Sequence, residues 1–436
     1  MSFFRCCIGS INYNLDDLDE TSQILPKNEK RNLENKDELF PENNTLISYG
    51  FIPYGKFLDL NKLIDNSKIQ LLVKQICFGE NHSLMLIESL KDDKIKETFL
   101  FGNGDNTNGQ LGLDYYPGKK NEYDDFQEIQ LSDFINIGLF FWNKINFIID
   151  NICVGKDFSL VLVKFPESEN KDNLNIYRFQ ISKEDKFNKS SERKKTINKE
   201  NFNFIKFGNI IKIKAFNDKI ILLTSKNYLM LKGINFDMEL YKDYKIIHQL
   251  KENIKEISLG INSCLLLTNT NQILCFGHNE YNEFGITDFK ENLMIKGKYF
   301  LNDFFEKRGL KVKKMRSGAR HTLILLDNGE LYAFGDNCDR QCIGFENFVY
   351  EPKKIEFTEN CKIIDIECGF NHSIAKSDKG KIYAWGDSAY GKLGYKENRI
   401  DIPFPTEITE LKVRNVIKIF AGPYQSAFFS SGGILQ

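Results

Sequence analysis

Net charge is nearly absent from this sequence. Its 59 lysines and arginines meet 60 aspartates and glutamates, so no global field draws the chain to nucleic acid or to an anionic membrane, and any charged contact has to be local. No uninterrupted apolar run reaches membrane-spanning length. The opening MSFFRCCIGS lacks an apolar signal core followed by a small-residue cleavage site, and the ten cysteines form no compact pairing framework. Both absences point to a reducing, intracellular home, cytoplasmic rather than nuclear. Cys338, Cys342, Cys361 and Cys368 are close in sequence but lack the paired C-x-x-C spacing of a metal ribbon, so they read as buried thiols and no metal is expected. Also missing are H-E-x-x-H, a Ser/His/Asp arrangement and a carboxylate pair of defined spacing. The glycine-rich GNGDNTNGQLG, residues 102–112, lacks the Gly-Lys-Ser/Thr that would lead into a phosphate-binding helix. No cofactor and no covalent catalysis are expected.

What the chain has is repetition. LGINSCLLLTNTNQILCFGHN from Leu259, SGARHTLILLDNGELYAFGDN from Ser317 and CGFNHSIAKSDKGKIYAWGDS from Cys368 share one register, from Gly260 to Gly277, Gly318 to Gly335 and Gly369 to Gly386. Between each glycine pair lie an apolar strand, a turn and a second apolar strand. Asn328-Gly329 at such a turn is a strong hairpin signal, so the unit is an antiparallel β-sheet. Weaker copies follow once the register is known. Residues 76–112 carry an insertion at 89–96, residues 152–179 have lost the last glycine, and in residues 213–233 Phe216 replaces the first. Residues 417–436 stop as their third strand begins.

The missing strand lies at the other end. LISYGFIPYGKFLDL, residues 46–60, matches the third strand and loop of the unit with no hairpin before it. Counting first-strand positions Gly79, Gly155, Phe216, Gly260, Gly318, Gly369 and Gly422 gives seven units. The fold expected is all-β, a seven-bladed β-propeller over residues 45–436 in which an N-terminal strand completes the C-terminal blade. Such closure removes exposed sheet edges. Residues 1–44 read as a polar, disordered tail, and residues 114–146 and 182–203 as insertions.

No Trp-Asp dipeptide occurs and the paired glycines of kelch blades are absent. The pattern that recurs is glycine, two residues, histidine, Ser/Thr, an apolar run, then Tyr/Phe-x-Phe/Trp-Gly and Gly-x-Leu-Gly. It resembles the regulator of chromosome condensation repeat family over about nine tenths of the chain. The resemblance implies that His82, His321 and His372, which share one repeat position, pack between blades and bond backbone. One role filled in three blades is structural, since a catalytic histidine is needed once. It also implies guanine-nucleotide exchange on a Ran-type GTPase as an activity to test. The family's exchange factor places an aspartate two residues after the first-strand glycine of its third blade, matched here by Asp218. A histidine is needed at that place in the fifth blade, where this chain has Arg320. Asp157 offers a competing aspartate one blade earlier. With only Trp142 and Trp385, the tryptophan-cluster light sensing of plant relatives is excluded.

The two insertions differ in kind. Residues 182–203 are polar, with Lys186, Lys189, Arg193, Lys194, Lys195 and Lys199, and read as a solvated loop or a contact arm. Residues 114–146 are rich in phenylalanine and isoleucine and read as a cover for the ring or a partner surface. The tail carries Asp16, Asp17, Asp19 and Glu20, the wrong sign for holding DNA. Cys6 and Cys7 are candidate acyl acceptors, and membrane attachment is expected only if they are modified. The functional expectation is a non-enzymatic platform that binds one or more proteins, or a subunit of a larger assembly. The alternative is an exchange factor or regulator of a Ran-like small GTPase.

Overall fold

The computed structural model describes residues 45–50, 56–59, 70–91, 94–113, 122–129, 147–164, 174–179, 197–199, 209–232, 245–286, 300–395, 401–409, 411 and 415–430. Cys6, Cys7, the tail 1–44, and most of 114–146 and 182–203 lie outside these residues.

Two strands open the chain, β1 (Thr45–Gly50) and β2 (Lys56–Asp59), and six four-stranded antiparallel sheets follow in strict chain order. Blade 1 is β3 (Gln70–Phe78), β4 (His82–Lys91), β5 (Lys94–Asp105) and β6 (Glu122–Glu128). Blade 2 is β7 (Ile148–Val154), β8 (Ser159–Lys164), β9 (Leu174–Phe179) and β10 (Ile197–Lys199). Blade 3 is β11 (Ile210–Phe216), β12 (Lys219–Thr224), β13 (Tyr228–Lys232) and β14 (Lys245–Gln249). Blade 4 is β15 (Ile254–Leu259), β16 (Ser263–Thr268), β17 (Ile273–Gly277) and β18 (Phe300–Asn302). Blade 5 is β19 (Val312–Ser317), β20 (His321–Leu326), β21 (Leu331–Asp336) and β22 (Phe348–Ile355). Blade 6 is β23 (Ile363–Cys368), β24 (His372–Ser377), β25 (Ile382–Asp387) and β26 (Asp401–Glu407).

The last two strands, β27 (Val416–Ala421) and β28 (Gln425–Ser430), do not find their partners downstream. They form blade 7 with β1 and β2, in the order β2-β1-β28-β27, and β1 runs antiparallel to β28 with Leu46 opposite Phe429 and Tyr49 opposite Ser426. The strand read from LISYG thus sits where the repeat requires it, and the ring holds seven sheets.

The second strand of most blades carries an unbroken apolar run, such as Leu84-Met85-Leu86-Ile87 or Leu160-Val161-Leu162-Val163, whereas blade 6 has only Ile374-Ala375 before Lys376. The reason is burial on both faces. Leu84 and Leu86 pack with Ile149, Ile152 and Val161 of blade 2, while Met85 and Ile87 pack with Ala427 and Phe429 of blade 7. Leu160 and Leu162 then meet Ile210, Ile213 and Leu222 of blade 3, and one continuous cluster runs through blades 4 to 7. A strand covered on both sides has no polar face to alternate with.

Each first strand carries the same irregularity, a register shift one residue wide at Val73/Gln75, Ile149/Asn151, Ile210/Lys212, Ile254/Glu256, Val312/Lys314, Ile363/Asp365 and Val416/Lys418. Seven bulges at one level bend the inner strands alike around the axis. They also turn carbonyls toward the neighbouring blade, and side chains reach them. Lys255 Nζ donates to Val312 O at 3.1 Å, Lys313 Nζ to Ile364 O at 3.2 Å, and Lys418 Nζ to Val73 O at 2.8 Å across the closure between blades 7 and 1.

Three sequence expectations change. The insertion at 89–96 is no separate element, because β4 and β5 simply continue pairing through Leu90–Ile95 and lengthen the hairpin. The segments set aside as insertions, 114–146 and 182–203, contain β6 and β10, the outer strands of blades 1 and 2. β6 is exposed along most of its length, and EYDDFQE carries little apolar signal to announce itself.

Candidate functional site

All seven turns between first and second strands lie at one end of the ring, and so do the loops that follow the third strands. At that end the turns are stitched together by main-chain bonds: Lys156 N–H donates to Asn217 O (2.9 Å), Ile261 to Ala319 (2.8 Å), Ala319 to Phe370 (3.0 Å) and Phe370 to Pro423 (3.3 Å). Pro423 has no N–H with which to continue the series.

This close approach explains one set of repeat glycines, Gly79, Gly260, Gly318 and Gly369. A Cβ on Gly369 would come 2.5 Å from the carbonyl oxygen of Gly422 in the next blade as well as meeting the His372 ring. Gly369→Ala is therefore expected to lower stability by about 1–3 kcal/mol through forced displacement of the turn. Denaturant unfolding monitored by tryptophan fluorescence checks this, and an unchanged midpoint would contradict it. The second set, Gly277, Gly335 and Gly386, has φ of 100°, 111° and 101°, a region closed to most side chains.

The three repeat histidines are buried between blades. His82 Nε2 lies 3.0 Å from Ser159 Oγ, His321 Nε2 3.0 Å from Ser373 Oγ, and His372 Nε2 3.0 Å from Ser426 Oγ. The partner is a serine hydroxyl at the start of the next blade's second strand, and His82 and His372 also bond the backbone of Phe158 and Gln425. Burial pushes His82 down to about 4 and His321 to about 3, and His372 well below the usual imidazole range. Blade 3 has Lys219 in this place; its Nζ reaches Asn262 Oδ1 of blade 4 at 2.7 Å, and burial pushes it down to about 8.

Asp157, Asp218 and Arg320 occupy equivalent turn positions on blades 2, 3 and 5, so the fold spreads them around the rim and does not gather them into one cluster. Asp218 is exposed at the tip of its turn. The Arg320 guanidinium lies 4.1 Å from the centroid of the Tyr281 ring, beside buried Glu283. Burial raises the Glu283 carboxyl to about 7, although its Oε2 accepts the Tyr281 N–H at 2.9 Å. The loops after the third strands are held by their own asparagines: Asn106, Asn279 and Asn337 accept the N–H of Leu111, Phe284 and Cys342 at 2.9, 2.8 and 2.8 Å. That bonding makes residues 102–112 a turn loop with its polar atoms directed inward.

Two features escaped the sequence reading. The first is an aromatic arc on the loop end of blades 4 to 7. Phe345 is 70% exposed and meets Phe404, 49% exposed, edge to face at 5.6 Å, with Arg340 over the Phe345 ring. Two further groups of rings lie on the same blades, Tyr281 with Phe348 and exposed Tyr350, and exposed Tyr390 with Tyr424. Phe370 joins Tyr424 on one side and, on the other, meets Phe216 of blade 3 at 5.4 Å, so aromatic rings span the mouth of the central channel.

The second is the channel itself, a cavity of about 470 Å3 walled by the seven first strands. Across blades 4 to 6 its wall is a bonded network: Arg316 to Glu256 (2.5 Å) and Glu367 (3.0 Å), and Lys314 to Glu367 (2.9 Å) and Asp365 (2.5 Å). Burial works to raise the Glu367 carboxyl, but Arg316 and Lys314 outweigh it and hold the group at about 2. These residues come from strands some 50 residues apart, and no local motif joins them.

The family model of the Regulator of chromosome condensation (RCC1) repeat matches residues 328–375 and 379–429, and a second model of the same repeat matches 312–341 and 363–392. The chain is 27% identical over 192 residues to the Ultraviolet-B receptor UVR8 of Arabidopsis thaliana, covering 44% of this chain and 42% of that protein. To Protein RCC2 of Homo sapiens it is 26% identical over 211 residues, covering 42% and 39%. To Probable E3 ubiquitin-protein ligase HERC4 of Homo sapiens it is 29% identical over 183 residues, covering 41% and 17%. The matches span less than half the length of each of these relatives. Among solved structures, Prp20p of Saccharomyces cerevisiae superposes with a TM-score of 0.67 at 17% identity, covering 89% of this chain and 92% of that one. Human WBSCR16 superposes at 0.64 with 16% identity, covering 90% and 100%. At such identities the superpositions speak for the fold. With seven sheets closed by a borrowed strand and glycine turns packed against buried histidines, the chain is a β-propeller whose residues 312–429 match the regulator of chromosome condensation (RCC1) repeat.

Proposed function

We propose that the chain is a protein-binding platform that performs no covalent chemistry and docks its partner on the loop end of blades 4 to 6. The observation that carries this reading is the exposed arc of Phe345, Phe404, Tyr350 and Tyr390 with Arg340 stacked on it. Aromatic and arginine side chains are the types that dominate binding energy at protein interfaces, and leaving them in water on ordered loops and outer strands costs solvation that a partner would recover. The repeat histidines support the same reading, since their Nε2 atoms are engaged by the next blade's serine. Prp20 of yeast, which shares the fold, has been solved with Kap60 and studied for binding to Gsp1p and histones.

The test compares wild type with a Phe345→Ala/Phe404→Ala variant in affinity capture from the source organism, followed by binding measurements on the proteins recovered. Loss of at least tenfold in affinity is expected, since hot-spot truncations cost about 2 kcal/mol or more each. Unchanged affinity would move the interface elsewhere. The GTPase reading is tested beside it by fluorescent-nucleotide release from small GTPases with wild type and Asp218→Ala. The platform reading expects no acceleration, and an acceleration that Asp218→Ala abolishes would replace it.

A further inference from the structure

A cluster of like charge adjoins the Phe345–Phe404 pair where blades 5 and 6 meet. Asp336 ends β21, Asp339 lies in the loop that follows, Asp387 ends β25, and Asp401 opens β26 directly across the ladder from Asp387. Like charges opposite one another in a sheet repel and weaken it. The loop of blade 5 is fastened to β26 at this point, since Gly344 N–H donates to Pro403 O at 2.8 Å. Phe345 and Phe404 flank that bond in sequence, so the acids and the exposed rings belong to one junction.

Few cations answer these acids. Lys392 Nζ bonds Asp387. The Arg340 guanidinium lies near enough to Asp401 to favour its charged form, yet its Nη1 donates to the carbonyl oxygens of Phe345 at 2.9 Å and Asn337 at 3.4 Å. Asp336 accepts the N–H of Cys338 at 3.0 Å, and Glu346 beside Phe345 is paired with Lys353 at 3.5 Å. The carboxylates of Asp339 and Asp401 accept no hydrogen bond among the described residues. Burial, then the charges of Asp387, Asp336 and Asp401, raises Asp339 to about 6, and burial with Asp387 raises Asp401 as well. Among the described residues no three acids converge closely enough to hold a metal ion. The cation that suits this junction is an extended one that reaches separate carboxylates and lies on ring faces, and arginine side chains do both.

We propose that the segment docking here is basic, an arginine-rich stretch of the partner protein whose guanidinium groups meet Asp339, Asp387 and Asp401 and stack on Phe345 and Phe404. The inference rests on the platform reading above and adds the chemistry of the partner. A chain of net charge −1 supplies no general pull on such a segment, so the attraction is confined to this junction.

The test is fluorescence anisotropy of labelled hexaarginine, hexalysine and hexaglutamate titrated with the full chain at fixed ionic strength. Saturable binding of hexaarginine is expected, tighter than hexalysine, with none for hexaglutamate. Asp339→Asn and Asp401→Asn should each weaken hexaarginine about fivefold, and Phe345→Ala/Phe404→Ala at least as much. Glu128→Gln, on the exposed outer strand of blade 1, should change nothing. Asp401→Asn should also melt higher than wild type, because it relieves the repulsion across from Asp387, so weaker binding in that protein is loss of the site and not of the fold. Lowering the pH from roughly 7.5 to 5.5 should weaken binding to wild type as Asp339 takes up its proton, and should do so less in Asp339→Asn. Hexaarginine that fails to saturate, or that binds wild type and both aspartate variants alike, overturns the basic partner and leaves the platform reading to its own Phe345→Ala/Phe404→Ala comparison. Binding that needs the aspartates but neither phenylalanine overturns the shared footprint.

Discussion

A chain beginning at residue 53 is expected to lose cooperative folding under conditions where the full chain is folded. The deletion removes β1, whose six residues pair with β28, and leaves the edge of blade 7 open. Phe428 and Phe429 are fully buried on β28, and Phe429 is part of the cluster that joins blade 7 to blade 1. Loosening two buried aromatics costs roughly 3–6 kcal/mol at ordinary transfer values, a large share of the 5–15 kcal/mol that about spans domain stability. The loss is not confined to one blade, because Lys418 Nζ and the β27 wall form the closing contact to Val73 and Lys74. The open edge of β28 also invites pairing between chains. Circular dichroism melting and light scattering measure the outcome, and a peptide of residues 45–59 added in trans should recover part of the transition. A truncated chain that melts as sharply and as high as the full one would show that the ring does not depend on its borrowed strand.

How far the sequence foretells this molecule depends on where a residue's partner lies. The second strands could be read because their apolar runs are local and burial on both faces leaves no alternative, and the closing strand because it repeats YAWG as ISYG. The turn at Asn328-Gly329 is local chemistry of the same sort, and Gly329 takes φ of 89° as such a turn requires. The outer strands β6 and β10 could not be read. β6 is polar and mostly exposed and β10 has only three residues, and both hold their place through ladder bonds to β5 and β9, which any residue except proline can make. The channel network was equally hidden. Glu256, Arg316 and Glu367 each look like the polar member of an alternating strand, and only the ring brings their ends to within 3.0 Å. The same holds for Phe216, which appears in sequence as a lost glycine and in space as one half of an aromatic bridge across the channel. Asp218 and Arg320 did fall on equivalent turns, yet equivalence in a ring means separation by whole blades.

The buried histidines make stability fall as pH drops below 6.5. Each is held neutral in the folded state, with His82 at about 4, His321 at about 3 and His372 well below its usual range, whereas an unfolded chain takes up protons near 6.5. Between 6.5 and about 4 the unfolded state therefore binds more protons than the folded one, and the slope of unfolding free energy against pH is positive. Each histidine contributes about 1.4 kcal/mol per pH unit once well below 6.5, so about 2 kcal/mol at pH 5. Glu283 and Asp339 act in the opposite sense. Burial raises Glu283 to about 7, and burial together with Asp387 and Asp336 raises Asp339 to about 6, so both keep protons in the folded state that the unfolded chain has released. Three groups against two leave a net loss on acidification, and a single variant isolates one histidine's share. His321→Gln, which can still reach Ser373 Oγ, is expected to unfold more easily at pH 7.5 but to lose about 2 kcal/mol less than wild type between pH 7.5 and 5.0. Urea midpoints at the two pH values measure this difference. Equal losses in both proteins would mean that the imidazole of blade 5 takes up its proton in the folded ring, and that the crevice between blades 5 and 6 admits water the packing leaves no room for.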